Sequence, residues 1–241
     1  EAADHLRAQY AAKVTWMDRC FGRFLEVFYE SGLAANTALL LTSDHGTRVG
    51  QFGRFGKGGR IQEQISRAPL FIRPPAGQQG RCAEMAQPQD FWPTLAALAG
   101  VEAPGLPGAQ DLLAVARGER DGARPLALAG GSADGWANRG SAPLFTVFAP
   151  DDYLELALRP EDSLLHRYGD TADAPDQPAG RIGELHAAGL DELERRGADQ
   201  ALIRWLRSGG EAELPDDVPL FRGWPKPAGY RPYFQRLYHG E

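Results

Sequence analysis

One stretch, Ala38 to Lys57, limits the choice of fold more than any other. A short apolar run, Thr37 to Thr42, has the length of a buried strand and stops abruptly at Ser43-Asp44-His45-Gly46. A carboxylate and an imidazole therefore stand at the carboxyl end of a predicted strand, where open α/β sheets place their ligands. A Gly-rich loop follows, with Gly50, Gly53, Gly56, Gly58 and Gly59, and with Lys57 among them. Glycine lets a backbone fold close to a small ligand. A carboxylate, an imidazole and an ammonium on one strand–loop unit suit a divalent metal and an oxyanion. Asp-His-Gly is also an ordinary turn sequence, so the tripeptide needs its surroundings to carry the reading.

Charge supports an anionic ligand at this loop. Between Arg48 and Arg73 stand six basic residues and one acid, Glu63. An excess of positive charge around a Gly-rich loop attracts anions. Between Asp151 and Asp217 the balance reverses, with 17 acids against seven arginines, and a solvated acidic face is expected there. The chain of 241 residues carries a net charge of −6, which argues against nucleic acid as a partner. No apolar run approaches the roughly 18 residues of a transmembrane helix. Cys20 and Cys82 form no zinc or CxxC spacing. Residue 1 is Glu, so any targeting signal is expected outside this chain and the compartment stays open between cytoplasm and periplasm or exterior.

Taken in order, residues 4–31 predict one amphipathic helix. Leu6, Tyr10, Val14, Met17, Phe21, Leu25 and Phe28 recur at steps of three and four along one face. Cys20 is expected to pack as a buried thiol. After the strand and loop, a helical turn is expected near 61–66 and a second strand at Leu70–Arg73, closed by Pro74 and Pro75. Phe91–Ala99 predicts a compact helix capped by Asp90. This alternation points to a sheet flanked by helices. Beyond Val101 a short helix is expected within 109–117. Four strand candidates follow, Pro125–Ala129, Leu144–Phe148, Tyr153–Leu158 and Leu164–Tyr168, separated by turn residues as in a small antiparallel sheet. Ile182–Arg207 reads as helix broken near Gly197. The stretch 214–241, rich in proline and aromatics, reads as an extended tail.

The ordered set of these segments resembles a family. A long helix, an apolar strand, SDHG, a Gly-rich loop with lysine, RAPLFIRPP and DFWPTLAALAGVEAP together look like the second half of the sulfatases of the alkaline phosphatase superfamily. The resemblance is best over residues 10–108. It implies an α/β fold with a helix-flanked mixed sheet over residues 1–108, a smaller α+β subdomain with an antiparallel sheet over 109–213, and the tail over 214–241. It also implies a metal-dependent sulfuric ester hydrolase whose substrate is a small anionic ester. Asp44 would be a metal ligand, His45 a ligand or a hydrogen-bond donor to the transferred group, and Lys57 the contact to the sulfate. Calcium is the expected metal, with manganese the alternative if His45 joins the ligands.

The chain departs from the family pattern in one main respect. The family makes its formylglycine nucleophile from a Cys-x-Pro/Ala-x-Arg motif. Cys20 continues Phe-Gly-Arg and Cys82 continues Ala-Glu-Met, so neither matches. The nucleophile and the paired aspartates of the metal site are expected upstream, and this chain alone is expected to be inactive. Phe52 stands where many relatives carry histidine. A phosphonate or phosphodiester hydrolase, or a phosphoethanolamine transferase, of the same superfamily is the nearest alternative function. A non-catalytic binding protein is the alternative of another class. Oligomeric state and substrate identity stay open.

Overall fold

A computed structural model describes residues 1–213 apart from 58–59, 76–78, 104, 120–123, 131–143 and 175–176. The predicted tail at 214–241 lies outside the described residues. The chain begins with helix α1, Ala2–Glu30. An alanine-rich start and a reciprocal capping box between Glu1 and Asp4 favour its first turn. Strand β1, Leu39–Thr42, pairs antiparallel with β4, Leu70–Arg73, so that Leu39 lies opposite Arg73 and Thr42 opposite Leu70. Between them a small hairpin, β2 (Arg48–Val49) and β3 (Phe55–Gly56), leads to the turn of helix α2, Glu63–Ser66. Helices α3, Phe91–Ala99, and α4, Leu112–Ala116, follow.

The second part is a four-stranded antiparallel meander. It runs β5 (Ala127–Gly130), β6 (Phe145–Phe148), β7 (Asp152–Leu156) and β8 (Leu164–Arg167), in that spatial order. Helices α5, Ala179–Arg195, and α6, Gln200–Arg207, complete it. Strand side chains alternate between faces. Phe145, Val147, Leu154, Leu156 and Leu165 face the two helices and meet Ile182, Leu185, Leu190, Leu202, Trp205 and Leu206 in the main core. Gly189 lets α5 approach closely, because a Cβ there would stand 2.5 Å from Val147. The alternate residues Thr146, Phe148, Tyr153, Glu155 and His166 are also buried, on the opposite face. That face receives the segment around the β2–β3 hairpin.

The fold is mixed α/β with antiparallel sheets. Three expectations change. The apolar stripe of α1 does not reach a core, since Leu6, Tyr10, Val14 and Met17 are exposed and only Phe28 of the helix is buried. Cys20 is exposed on α1 rather than packed, because it lies on this uncovered helix. The acidic stretch is not uniformly solvated: Glu155 and Glu192 are buried against arginines.

Candidate functional site

Strand β1 ends at Thr42 and the chain turns sharply through Ser43, Asp44 and His45. The turn is held by its own polar groups. His45 N–H donates to Asp44 Oδ1 at 2.8 Å, and the Ser43 hydroxyl donates to the His45 carbonyl at 2.9 Å. Gly46 then packs against α2, where its N–H donates to the Ile65 carbonyl at 2.7 Å. A Cβ at this position would stand 2.1 Å from the backbone oxygen of Gln64. Glycine is required here for close approach, which explains the third residue of Asp-His-Gly.

The hairpin that follows brings Lys57 back to this turn. Gly50, Gly53 and Gly56 adopt positive φ, and so does Phe52 at 54°. Lys57 Nζ lies 2.9 Å from His45 Nε2. His45 Nδ1 lies 2.8 Å from the Gly46 carbonyl, which can only accept. The imidazole is therefore protonated on Nδ1, and its Nε2 accepts from the lysine ammonium. Asp44, His45 and Lys57, the three site residues expected from sequence, are brought together. The Asp44 side chain is 83% exposed, and its Oδ2 lies 3.5 Å from His45 Nε2. The trio is an open surface site. A cavity of about 320 Å³ lined by Pro93, Ala97, Val101, Leu106 and Asp111, among others, lies elsewhere, at the end of α3.

The donor set accommodates part of a cation site. Asp44 offers a solvent-facing carboxylate oxygen, the ligand type that hard divalent cations prefer. His45 can coordinate through Nε2 only if Lys57 releases it. No group of three or more His, Cys, Asp or Glu side chains suited to a metal occurs among the described residues.

Residues not anticipated from sequence surround the trio. Arg48, fully buried, donates from Nη1 to Gln62 Oε1 at 3.1 Å and to the Arg60 carbonyl at 3.2 Å. Burial, followed by the neighbouring Arg54, lowers its pKa. Arg60 holds Glu155 with two contacts, at 2.5 and 2.7 Å, and Asp173 with two more, at 3.0 and 2.8 Å. His166 Nε2 lies 3.0 Å from Glu155 Oε1 and 3.1 Å from Arg60 Nη2. Burial pushes the Glu155 carboxyl up, but hydrogen bonds from His166 and Arg60 outweigh it and hold the group below the ordinary carboxylate range. Hydrogen bonding to Arg60 likewise lowers Asp173. Phe52 meets His166 edge to face at 5.3 Å, and Tyr153 stacks on the same imidazole at 5.0 Å. One signal of this cluster stood in the sequence: Glu155 is the single charged residue of the expected strand Tyr153–Leu158.

The model of the Sulfatase family matches residues 1–101. The chain is 36% identical over 95 residues to a sulfatase of Formosa agariphila, covering 39% of this chain and 18% of that protein. It is 34% identical over 109 residues to an arylsulfatase of Clostridium perfringens, covering 43% and 22%. Each match thus spans about a fifth of the relative's length. A solved structure described with its substrate D-glucosamine-2-N,6-O-disulfate aligns with a TM-score of 0.58 at 21% identity, covering 79% of this chain and 41% of that one. A phosphonate monoester hydrolase from Silicibacter pomeroyi aligns with a TM-score of 0.56 at 21% identity, covering 74% and 39%.

Proposed function

We propose that this chain, whose residues 1–101 match the model of the Sulfatase family, is part of a sulfatase-type hydrolase of the alkaline phosphatase superfamily acting on a small anionic ester. The observation that carries this reading is the contact of Lys57 with His45 at 2.9 Å, beside the exposed carboxylate of Asp44. It supplies a positive charge at the carboxyl end of a strand, next to a free oxygen ligand. Lys57 would bind the ester oxygens and oppose the negative charge that grows on them and on the leaving group. His45 would hold the ammonium on station and, through its Nδ1–H bond to Gly46, keep the acceptor nitrogen turned toward it. Asp44 would donate one oxygen to a divalent cation, calcium by the hardness of the donor. Such a cation, when bound, polarises the ester oxygen. The formylglycine nucleophile would come from the portion of the relatives that this chain does not span.

The test is steady-state hydrolysis of an aryl sulfate by the full-length protein, with an aryl phosphodiester and a phosphonate ester as competing substrates. Lys57→Ala should lower turnover by about a hundredfold or more, the scale for one preorganised charge stabiliser. Asp44→Ala should cost at least as much. Unchanged rates in Lys57→Ala on all three substrates would remove the loop from the anion site. Faster turnover of the phosphorus esters would move the substrate class within the superfamily.

A further inference from the structure

The segments on either side of Lys57 are tied to the small sheet as well as to their own strand–helix unit. On one side, Phe52 N–H donates to the Thr171 carbonyl at 2.6 Å. On the other, Thr146 Oγ1 donates to the Ile61 carbonyl, and Gln62 Nε2 to Glu155 Oε1 at 3.0 Å. Glu63 accepts from Gly169 N–H, and Gln64 donates to the Asp170 carbonyl at 3.3 Å. Arg60, three residues beyond Lys57, is gripped by both Glu155 and Asp173. Paired forks of this kind fix a guanidinium in distance and in plane. Lys57 itself is exposed, and its ammonium meets His45 at the end of β1.

We propose that the small sheet and the turn after β8 aim Lys57, with Arg60, Glu155 and Asp173 as positioning residues for its anion contact. This rests on the reading of Lys57 as an anion contact. The carboxylates do not touch the ligand. They hold the Arg60 guanidinium over the Phe52 ring, at 5.6 Å from its centroid, and Phe52, itself bonded to Thr171, seats the hairpin that carries the ammonium to His45. Asp173 is the informative member, because it is half-exposed and its loss leaves the buried Arg60–Glu155 pair in place.

The experiment uses the 241-residue chain, inorganic sulfate as the probe, and three variants, Asp173→Asn, Asp173→Glu and Lys57→Ala. Backbone amide shifts report sulfate binding. Amide exchange reports the order of residues 48–57 against α3 and β6. All measurements are made well below the unfolding midpoint of every variant. Asp173→Asn should weaken sulfate binding by about tenfold, the lower end of what loss of an outer partner costs at metal sites. It should speed exchange in 48–57 while α3 and β6 stay protected. Asp173→Glu should restore both, which a general loss of stability would not. Unchanged affinity and unchanged exchange in Asp173→Asn would overturn the proposal. If sulfate shifts no amide near Lys57 in the parent chain, the anion reading of Lys57 fails instead. Exchange then decides the tether alone: a selective rise in 48–57 upholds it, and none sinks it.

Discussion

Asp90 has no solvent-exposed surface, and four donors surround its carboxylate. Arg124 contributes two contacts, both at 2.7 Å, and the backbone N–H groups of Gln87 and Gln110 contribute bonds at 2.7 and 3.0 Å. Its place before α3 suggests a helix cap, worth about 1 kcal/mol. The structure gives it a larger task, joining the start of α3 to the segments around Gln110 and Arg124. Removing one partner of a buried pair strands the other charge, at a cost of about 3–5 kcal/mol. Asp90→Ala should therefore lower unfolding stability by that amount in urea titrations. Asp90→Ala combined with Arg124→Met should recover part of the loss, since no charge is then left without its counterpart. A single-variant loss near 1 kcal/mol would return Asp90 to the role of a simple cap.

Helix α1 carries Leu6, Tyr10, Val14, Trp16, Met17, Phe24, Val27 and Tyr29 exposed along its length, and Phe71 on β4 is 65% exposed. Apolar surface of this extent marks contact or aggregation. The chain should bind a hydrophobic dye and scatter light above the monomer value. Val14→Glu with Met17→Glu should reduce both signals and leave the unfolding midpoint almost unchanged. A dye-silent, monodisperse parent chain would contradict this. The same helix shows where sequence reading stops. Its periodicity reported which face is apolar, but no period says what covers that face. Where local chemistry closes an element, the reading was accurate. β4 begins just after Pro69 and ends at the proline pair, α3 ends at Gly100, and the break between α5 and α6 includes Gly197. The trio at Asp44, His45 and Lys57 was legible because it lies within 14 residues of chain. The grip on Arg60 was not, because its partners stand 95 to 113 residues away.

At the scale of the whole molecule, acid should loosen the structure in two stages. His186 is buried, with Nε2–H donating to the Ala157 carbonyl at 3.2 Å, and burial lowers its pKa from 6.5 despite that bond. Below pH 6.5 the unfolded chain gains this proton first, so stability falls as pH drops toward the lowered value. Glu155 and Asp173 are lowered from 4.5 and 3.8. Their contribution is complete above those values and is lost as pH falls through the lowered ones. Urea midpoints measured from pH 8 to pH 3 should decline gently below 6.5 and steeply below about 4.5. His186→Phe should flatten the first decline alone, and a flat profile down to pH 4 would refute the assignment. The seam between the hairpin segment and the small sheet has a further consequence, for anyone who cuts the gene. The family match ends at residue 101, yet Glu155, His166 and Asp173 lie beyond it. A piece trimmed to the matched stretch would keep every residue of the trio. It would lose the carboxylates that seat Arg60, and would present Arg48, Gln62 and Glu63 to water. It would carry the signature of the site without the frame that aims it.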